Sequence, residues 1–280
     1  MASDYTLKDL CAALRVPRSS YYAWRRRVPG RRAQANQSLR SALTGLFKDY
    51  RAIYGSPRLT VCLRRLGIPC SRNRVARQMR ALNLSARQKR AFRPKTTNAN
   101  HPHPIAPNVL ASTPPPKAAN RIWVSDITYV FTRQGWLYLA AVMDLYSRKI
   151  IGWATASHLK TSLVATALQN ASASRYPEPG LLHHSDRGCQ YASTDYRSLL
   201  SSLKALPSMS GKGNCYDNAT MESFWSTLKT EWLHRRRFQT HHQARSAIFD
   251  YIETFYNPKR LHSALGYLSP VEYERINQHE

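Results

Sequence analysis

The basic residues are piled into one end of this chain, and that decides what the end can be. Residues 1–120 carry 24 Lys and Arg against Asp4, Asp9 and Asp49, a balance of +21; residues 121–280 carry 18 basic and 13 acidic residues, a balance of +5. A segment charged this heavily repels itself unless it meets a polyanion. Nucleic acid fits best, because neutralising phosphates with Lys and Arg releases counterions and supplies most non-specific affinity. An anionic membrane surface fits less well: the basic stretches are interleaved with helix and turn signals, not with an amphipathic Trp/Phe face. No window approaches the roughly 18 apolar residues of a membrane span. The start, MASDYTLKDLC, carries acids and no apolar run, so it does not read as a secretory signal. Five cysteines without a C-x-x-C spacing read as reduced thiols in a cytosolic protein. Cys189 and Cys215 read as small packing residues.

With 280 residues, 42% of them apolar, the chain can build two cored regions. The spacing predicts a short helix over 6–14 on Leu7, Leu10 and Leu14, and a second after Val16-Pro17 with Ser19-Ser20 as its cap. A longer helix is expected over Gln37–Arg51 on Leu39, Leu43, Leu46 and Phe47. Tyr54–Arg58 breaks the pattern, and a helix carrying Leu59, Leu63 and Leu66 follows. Gly67–Cys70 makes a turn, and Ser71 caps a third helix with Val75, Met79 and Leu82 inside and Arg72, Arg74, Arg77 and Arg80 outside. A helix, a Gly-containing turn and a basic second helix form the helix-turn-helix pattern, whose second helix reads the major groove. The competing reading is a basic three-helix bundle that merely packs on a neighbour.

Seven of the sixteen prolines fall within 94–116, which reads as an extended, mobile linker. His101 and His103 inside it lack a third metal ligand. From residue 121 the rhythm becomes strand-like: 121–132, 136–146 and 149–156 read as an antiparallel meander. A helix over 161–174, a short strand over 181–184, a helix over 194–203, a strand over 204–209 and a long helix over 219–234 follow. Together they give an α/β domain with helices on both faces. Residues 210–214 read as flexible. Helices over 241–256 and from Ser269-Pro270 close the chain, the latter with a Ser/Glu capping box.

Three acids stand out. Asp126 sits inside an apolar strand (Trp123–Tyr129), where a charge costs several kcal/mol unless it is neutralised. Asp186 ends the short strand near 181–184, and strand ends are where α/β sheets hold ligands. Glu222 lies in the first turns of the long helix, about 100° round from its apolar stripe of Met221, Trp225, Leu228 and Trp232, with Lys229 within about 20° of its direction. Singly, each has an ordinary explanation: a bulge, a turn residue before Gly188, and a helix N-terminal charge. Together, in a chain this poor in acids, they suit a hard cation, Mg²⁺ or Mn²⁺. Two such ions ~4 Å apart serve phosphodiester displacement. A tyrosine recombinase built on Tyr191 or Tyr216 would leave the acids unexplained.

Thirty-five residues separate Asp186 from Glu222. With Asp126 upstream, this resembles the D,D(35)E arrangement of the retroviral-integrase/transposase superfamily. The phrases Trp123–Tyr129, His183–Tyr191, Ser208–Lys229 and Tyr256–His262 resemble the OrfB-type transposases of bacterial two-reading-frame insertion sequences. The resemblance implies an α/β, ribonuclease-H-like integrase catalytic core preceded by an all-α helix-turn-helix DNA-binding region. It implies cleavage and transfer of DNA strands with two Mg²⁺ (or Mn²⁺) ions on the catalytic residues Asp126, Asp186 and Glu222. DNA-contact candidates are Arg72, Arg74, Arg77, Arg80, Lys229, His184 and Arg260. Asn214, Asp217 and Asn218 are expected to cap the long helix. The division is a basic helical segment over 1–35, helix-turn-helix domain over 36–92, linker over 93–118, catalytic core over 119–235 and helical extension over 236–280. Expected partners are DNA (element ends and target), the upstream-frame protein and further copies of the chain on DNA, with no membrane. A junction resolvase on the same fold, or a DNA-binding repressor without catalysis, would explain part of the pattern.

Overall fold

The computed structural model describes residues 5–26, 28, 30–86, 104–211 and 218–277. Two compact units divide the chain, Met1–Ala86 and Arg87–Glu280. His101, His103, Asn214, Cys215, Tyr216 and Asp217, and most of the 210–214 segment, lie outside the described residues.

The first unit is all-helical among its described residues. Helices α1 (Leu7–Ala13) and α2 (Arg18–Arg25) precede α3 (Arg31–Asp49), α4 (Ser56–Arg65) and α5 (Arg72–Ala81). Helix α3 starts six residues before the expected Gln37. Its first turns are polar, so hydrophobic spacing could not register them, but Asn36 there accepts both Nε and Nη2 of Arg74. Leu39, Leu43, Tyr54, Leu59, Leu63 and Val75 are buried and lock α3, α4 and α5 together. The turn into α5 follows from local chemistry. Gly67 takes φ +73°, its N–H donates to Arg64 O, and the N–H of Ile68 donates to Leu63 O. This is a Schellman closure that favours glycine. Ser71 Oγ then accepts from Arg74 N at 3.2 Å and starts α5.

The second unit is built on a five-stranded mixed sheet, ordered β3-β2-β1-β4-β5. Strands β1 (Ile122–Thr132), β2 (Gly135–Asp144) and β3 (Ile150–Ala156) form the expected antiparallel meander; β4 (Leu182–Ser185) and β5 (Leu206–Met209) add in parallel to β1. Trp123, Ala140, Val142 and Ile151 form a core with α6 (Thr161–Arg175), α7 (Cys189–Ala192) and α8 (Thr194–Ser202). Helix α6 lies so close to β3 that a Cβ on Gly152 would come within 2.4 Å of Ala167 O. Side chains alternate along a strand, so Asp126 points to the opposite face from Ser125. Its carboxylate meets α9 (Ala219–Glu231), whose Met221, Trp225 and Leu228 are buried.

Part of the expected mobile linker is fastened to this sheet. Pro107 O accepts from Met209 N at 3.3 Å, and Leu110 N donates to Ser208 Oγ at 3.1 Å. The C-terminal stretch likewise belongs to the second unit. Helix α10 (His241–Tyr251) ends in a π turn over Ile252–Tyr256 instead of continuing as one α-helix. Asn257 Oδ1 accepts from Ile150 N and its Nδ2 donates to Ile150 O, completing the backbone of β3. The expected capping box starts α11 (Pro270–Ile276) at Ser269 and Glu272. From α11, buried Glu274 accepts from Ser147 Oγ, Lys149 Nζ and Arg175 Nη2.

Those partners hold the Glu274 carboxyl below its ordinary pKa despite the opposing effect of burial. The contribution to stability is therefore present above the unfolded-state pKa and is lost as pH falls through the lower folded-state value. Glu274→Gln is expected to cost about 3 kcal/mol at neutral pH. Urea unfolding across a pH series should show the gap from wild type closing below about pH 4.

Candidate active site

Strand register brings the two aspartates side by side. The last β1–β4 pair is Val124 with His184. Asp126 and Asp186 each follow that pair by two residues, just beyond the last paired positions at the carboxyl end of β4, the edge where α/β sheets hold ligands. Asp126 is held firmly: Oδ1 accepts from the N–H of Ile127 at 2.8 Å and Oδ2 from Trp225 Nε1 at 2.9 Å. Asp186 Oδ1 accepts from Gly188 N at 2.9 Å in a turn that keeps the carboxylate at the strand end. A side chain on Gly188 would crowd that oxygen, at 3.0 Å from its Cβ. Glu222 is exposed in the first turn of α9.

The charges of the three acids interact. Burial, with the Asp186 and Glu222 charges adding to it, pushes the Asp126 carboxyl up to about 7 against the hydrogen bonds from Ile127 and Trp225. Among the described residues, both hydrogen-bond donors to Asp126 are neutral groups, which fix its orientation without forming an ion pair. Among the described residues, no three His, Cys, Asp or Glu side chains are gathered tightly enough to hold a metal ion. The donor set nevertheless fits a hard divalent cation: all-oxygen ligands, with lone pairs beyond those taken by Ile127 and Trp225. Lys229, two turns along α9 from Glu222, places Nζ 4.8 Å from the centre of the Tyr129 ring. Burial pulls its pKa down while Asp126 opposes that shift, so this cation sits beside the acids.

Other candidates have different surroundings. His184 is fully buried, with Nδ1 2.9 Å from Ser208 Oγ and Nε2 3.1 Å from Ser210 Oγ. Both ring nitrogens are engaged inside the protein, which corrects the expectation of a DNA contact. His183 is buried against Ser125 Oγ and the Tyr196 hydroxyl; burial and His184 push its pKa down to about 3, so the ring is neutral. Arg260 is also corrected. It is buried, its Nε and Nη2 donate to the two carboxylate oxygens of Glu231 at 2.8 and 2.7 Å, and its guanidinium lies over Tyr256. Arg72, Arg77 and Arg80 are exposed on α5, as expected, but Arg74 is half-buried and braces α3 through Asn36. Asn218 precedes α9 without a side-chain cap; its Nδ2 donates instead to Ser125 O at 3.5 Å. Cys189 is exposed and does not pack in the core.

The sequence matches the family description "Integrase core domain" over residues 116–215, and a second of the same description over 222–277; "HTH-like domain" matches over 34–92. A Shigella sonnei protein described as "Insertion element IS600 uncharacterized 31 kDa protein" is 45% identical over 270 residues, covering 96% of this chain and 99% of its own. Transposase InsF for insertion sequence IS3A of Escherichia coli K12 is 40% identical over 277 residues, covering 98% of this chain and 96% of its own. The chain belongs to the insertion-sequence transposases with an integrase core. The transposase for IS904 of Lactococcus lactis is 39% identical over 251 residues, spanning 90% of this chain and 99% of its own. Among solved structures, the catalytic core of BIV integrase matches with TM-score 0.43 and 18% identity over 57% of this chain and 97% of that one. The HTLV-2 integrase catalytic core in complex with magnesium matches at 0.42 and 14%, over 56% and 97%.

In this transposase the residue that sequence reasoning passed over is Trp225. It counted as part of an apolar stripe, yet its indole N–H steadies Asp126, and only the fold reveals that partner. Arg260 is expected to matter to folding instead of DNA contact. Arg260→Ala, which strands the Glu231 carboxylate, should cost about 3–5 kcal/mol in thermal or urea unfolding. The DNA affinity of the folded fraction, measured by anisotropy, should stay at the wild-type value.

Proposed function

We propose that the chain cleaves DNA at the ends of a mobile element and transfers the freed strands to a target, with Asp126, Asp186 and Glu222 as a D,D(35)E catalytic triad. The observation that carries this reading is Asp126, pushed up to about 7 inside a strand by burial and two further carboxylates, in a protein of net charge +26. Concentrated negative charge in so basic a chain is costly unless it serves a cation. The three carboxylates would hold two Mg²⁺ or Mn²⁺ ions. Such ions, when bound, stabilise charge on the attacking and leaving oxygens of an in-line phosphodiester displacement. In that displacement water or a 3′-hydroxyl gives up its proton to solvent as the new P–O bond forms, and the old P–O bond breaks, its oxygen taking up a proton to leave as a hydroxyl.

The chain's own residues do the positioning. Trp225 and the Ile127 N–H fix the rotamer of Asp126, and Gly188 N fixes Asp186. Lys229 stands beside the acids, where it attracts a phosphate of the strand being cut. Residues 36–92 recognise DNA through the exposed arginines of α5, with Arg72 and Arg77 toward the bases or backbone and Arg80 at the far end. The 119–235 core cuts and joins, and the extension over 236–280 braces it. The active assembly contains further copies of the chain on DNA, together with the upstream-frame protein. No described helix is long and apolar enough to cross a membrane.

The primary test is Asp126→Asn in a Mg²⁺-dependent cleavage assay on labelled element ends. Cleavage should fall at least a thousandfold while DNA binding, measured without metal, is retained; an unchanged rate removes the triad. Strand transfer by the wild type separates a transposase from a junction resolvase, which cuts without joining. Binding should also weaken steeply with salt. With about six phosphates neutralised, log K against log[salt] should have a slope near −5, and Arg72→Ala with Arg77→Ala should flatten it by about 2.

A further inference from the structure

The β1–β2 hairpin carries aromatic rings that its own fold leaves outside. Phe131 is 65% exposed and Trp136 is 48% exposed. They face each other across the ladder, edge to face, with ring centres 5.3 Å apart. Trp136 also meets Tyr129 edge to face at 5.0 Å, and Lys229 Nζ lies over the other ring of that pair, Tyr129, at 4.8 Å. The rings therefore form a continuous track from Lys229, beside Asp126, to the tip of the hairpin. A pair of large aromatics on an exposed hairpin costs solubility and invites unwanted contacts, so this placement calls for an occupant.

The surroundings say which kind. Arg133 is exposed in the hairpin turn, and its N–H donates to Phe238 O at 3.0 Å, which brings the basic run His234–Arg237 alongside. The guanidinium of Arg236 lies 3.3 Å from the centre of the Trp232 ring. Neither residues 127–143 nor residues 232–249 contain a single Asp or Glu. Aromatic faces interleaved with cations and free of acids are the pattern that holds unpaired nucleotides, with bases stacked on rings and phosphates met by Lys and Arg.

We infer that the Phe131–Trp136 ledge is a stacking site for unpaired bases of the DNA strand whose phosphodiester lies at the acidic crevice. The inference rests on the proposed catalytic reading and adds to it where the strand runs. Phe131 lies five positions along β1 from Asp126, on the other face of the sheet by alternation, so the DNA strand passes round the β1 edge at Lys229 and Tyr129; the rise along β1 is about 16 Å. At roughly 3.4 Å per nucleotide, the stacked bases are about five positions from the scissile bond. The duplex must therefore be opened near the cut, and the ledge stabilises that opened state.

The test compares the full-length protein on a blunt duplex and on the same duplex with a single-stranded thymidine tail, both without divalent metal. Trp136→Ala and Phe131→Ala should each weaken binding to the tailed duplex about five- to hundredfold while leaving the blunt duplex within about twofold. Trp136→Tyr should restore most of the loss. In wild-type protein, 5-iodouracil in the tail should photocrosslink to Trp136 or Phe131, a readout that needs no variant to fold. Equal affinity of wild type and variants for the tailed duplex, with crosslinks elsewhere, overturns the inference. So does a change in sedimentation of the DNA-free variants without loss of tail preference, which would make the ledge a protein contact. Mg²⁺-dependent cleavage by the wild type, run in parallel, separates the two readings. If cleavage is present and the ledge is indifferent, only the ledge fails; if cleavage and DNA binding are both absent, both fail.

Discussion

A carboxylate carried into the middle of an apolar strand sets the terms for the rest of the catalytic unit. Asp126 lies beside the buried stripe of α9, and among the described residues its hydrogen-bond donors are a backbone N–H and an indole N–H. Neutral donors hold the group in place without cancelling its charge. Two more acids then raise the local cost instead of relieving it. Two other buried carboxylates are held by cations: Glu274 by Arg175 and Lys149, and Glu231 by Arg260. Those acids hold the fold together, whereas Asp126 accepts its hydrogen bonds from the neutral Ile127 N–H and Trp225 indole.

The sheet topology makes the arrangement possible. A meander followed by two parallel additions leaves β1 in the centre, paired with β4 for only three residues before the strands part. The acids sit at that parting, and α9 arrives from later in the chain to supply Trp225, Glu222 and Lys229. On the opposite face the large core of α6, α7 and α8 anchors the sheet, helped by the close approach of Gly152 to Ala167. Rigidity on one face holds the acids at the strand ends in fixed positions.

The buried histidines illustrate a second principle. Ser125, His183 and Tyr196 form one hydrogen-bonded set beneath the site, and His184, Ser208 and Ser210 form another. Both rings are sealed from water, and the neutral His183 bridges β1 to α8 much as a core hydrogen bond would. Histidines next to the candidate Asp186 invite a chemical role, yet these serve as struts that align β4 with β1 and β5.

Much of the architecture was legible along the chain. Hydrophobic alternation marked the three strands of the meander, helical spacing marked α6 and α8, and Ser71 and Ser269 announced their helices, because these signals depend on neighbours a few residues away. The acid spacing and the flanking phrases identified the family. What sequence could not supply was which polar side chains face solvent. His184, Arg74 and Arg260 look alike on paper to any exposed basic residue, and only their partners, up to 38 positions away, turn them inward. Trp225 as the donor to Asp126, and the fastening of residues 107–110 to β5, likewise depend on contacts about a hundred residues apart. Local chemistry thus determined the elements and the candidate acids, whereas the tertiary structure decided the orientation and company of each charge. Burial and long-range hydrogen bonding are properties of the packed whole and leave no periodic trace in the residues themselves.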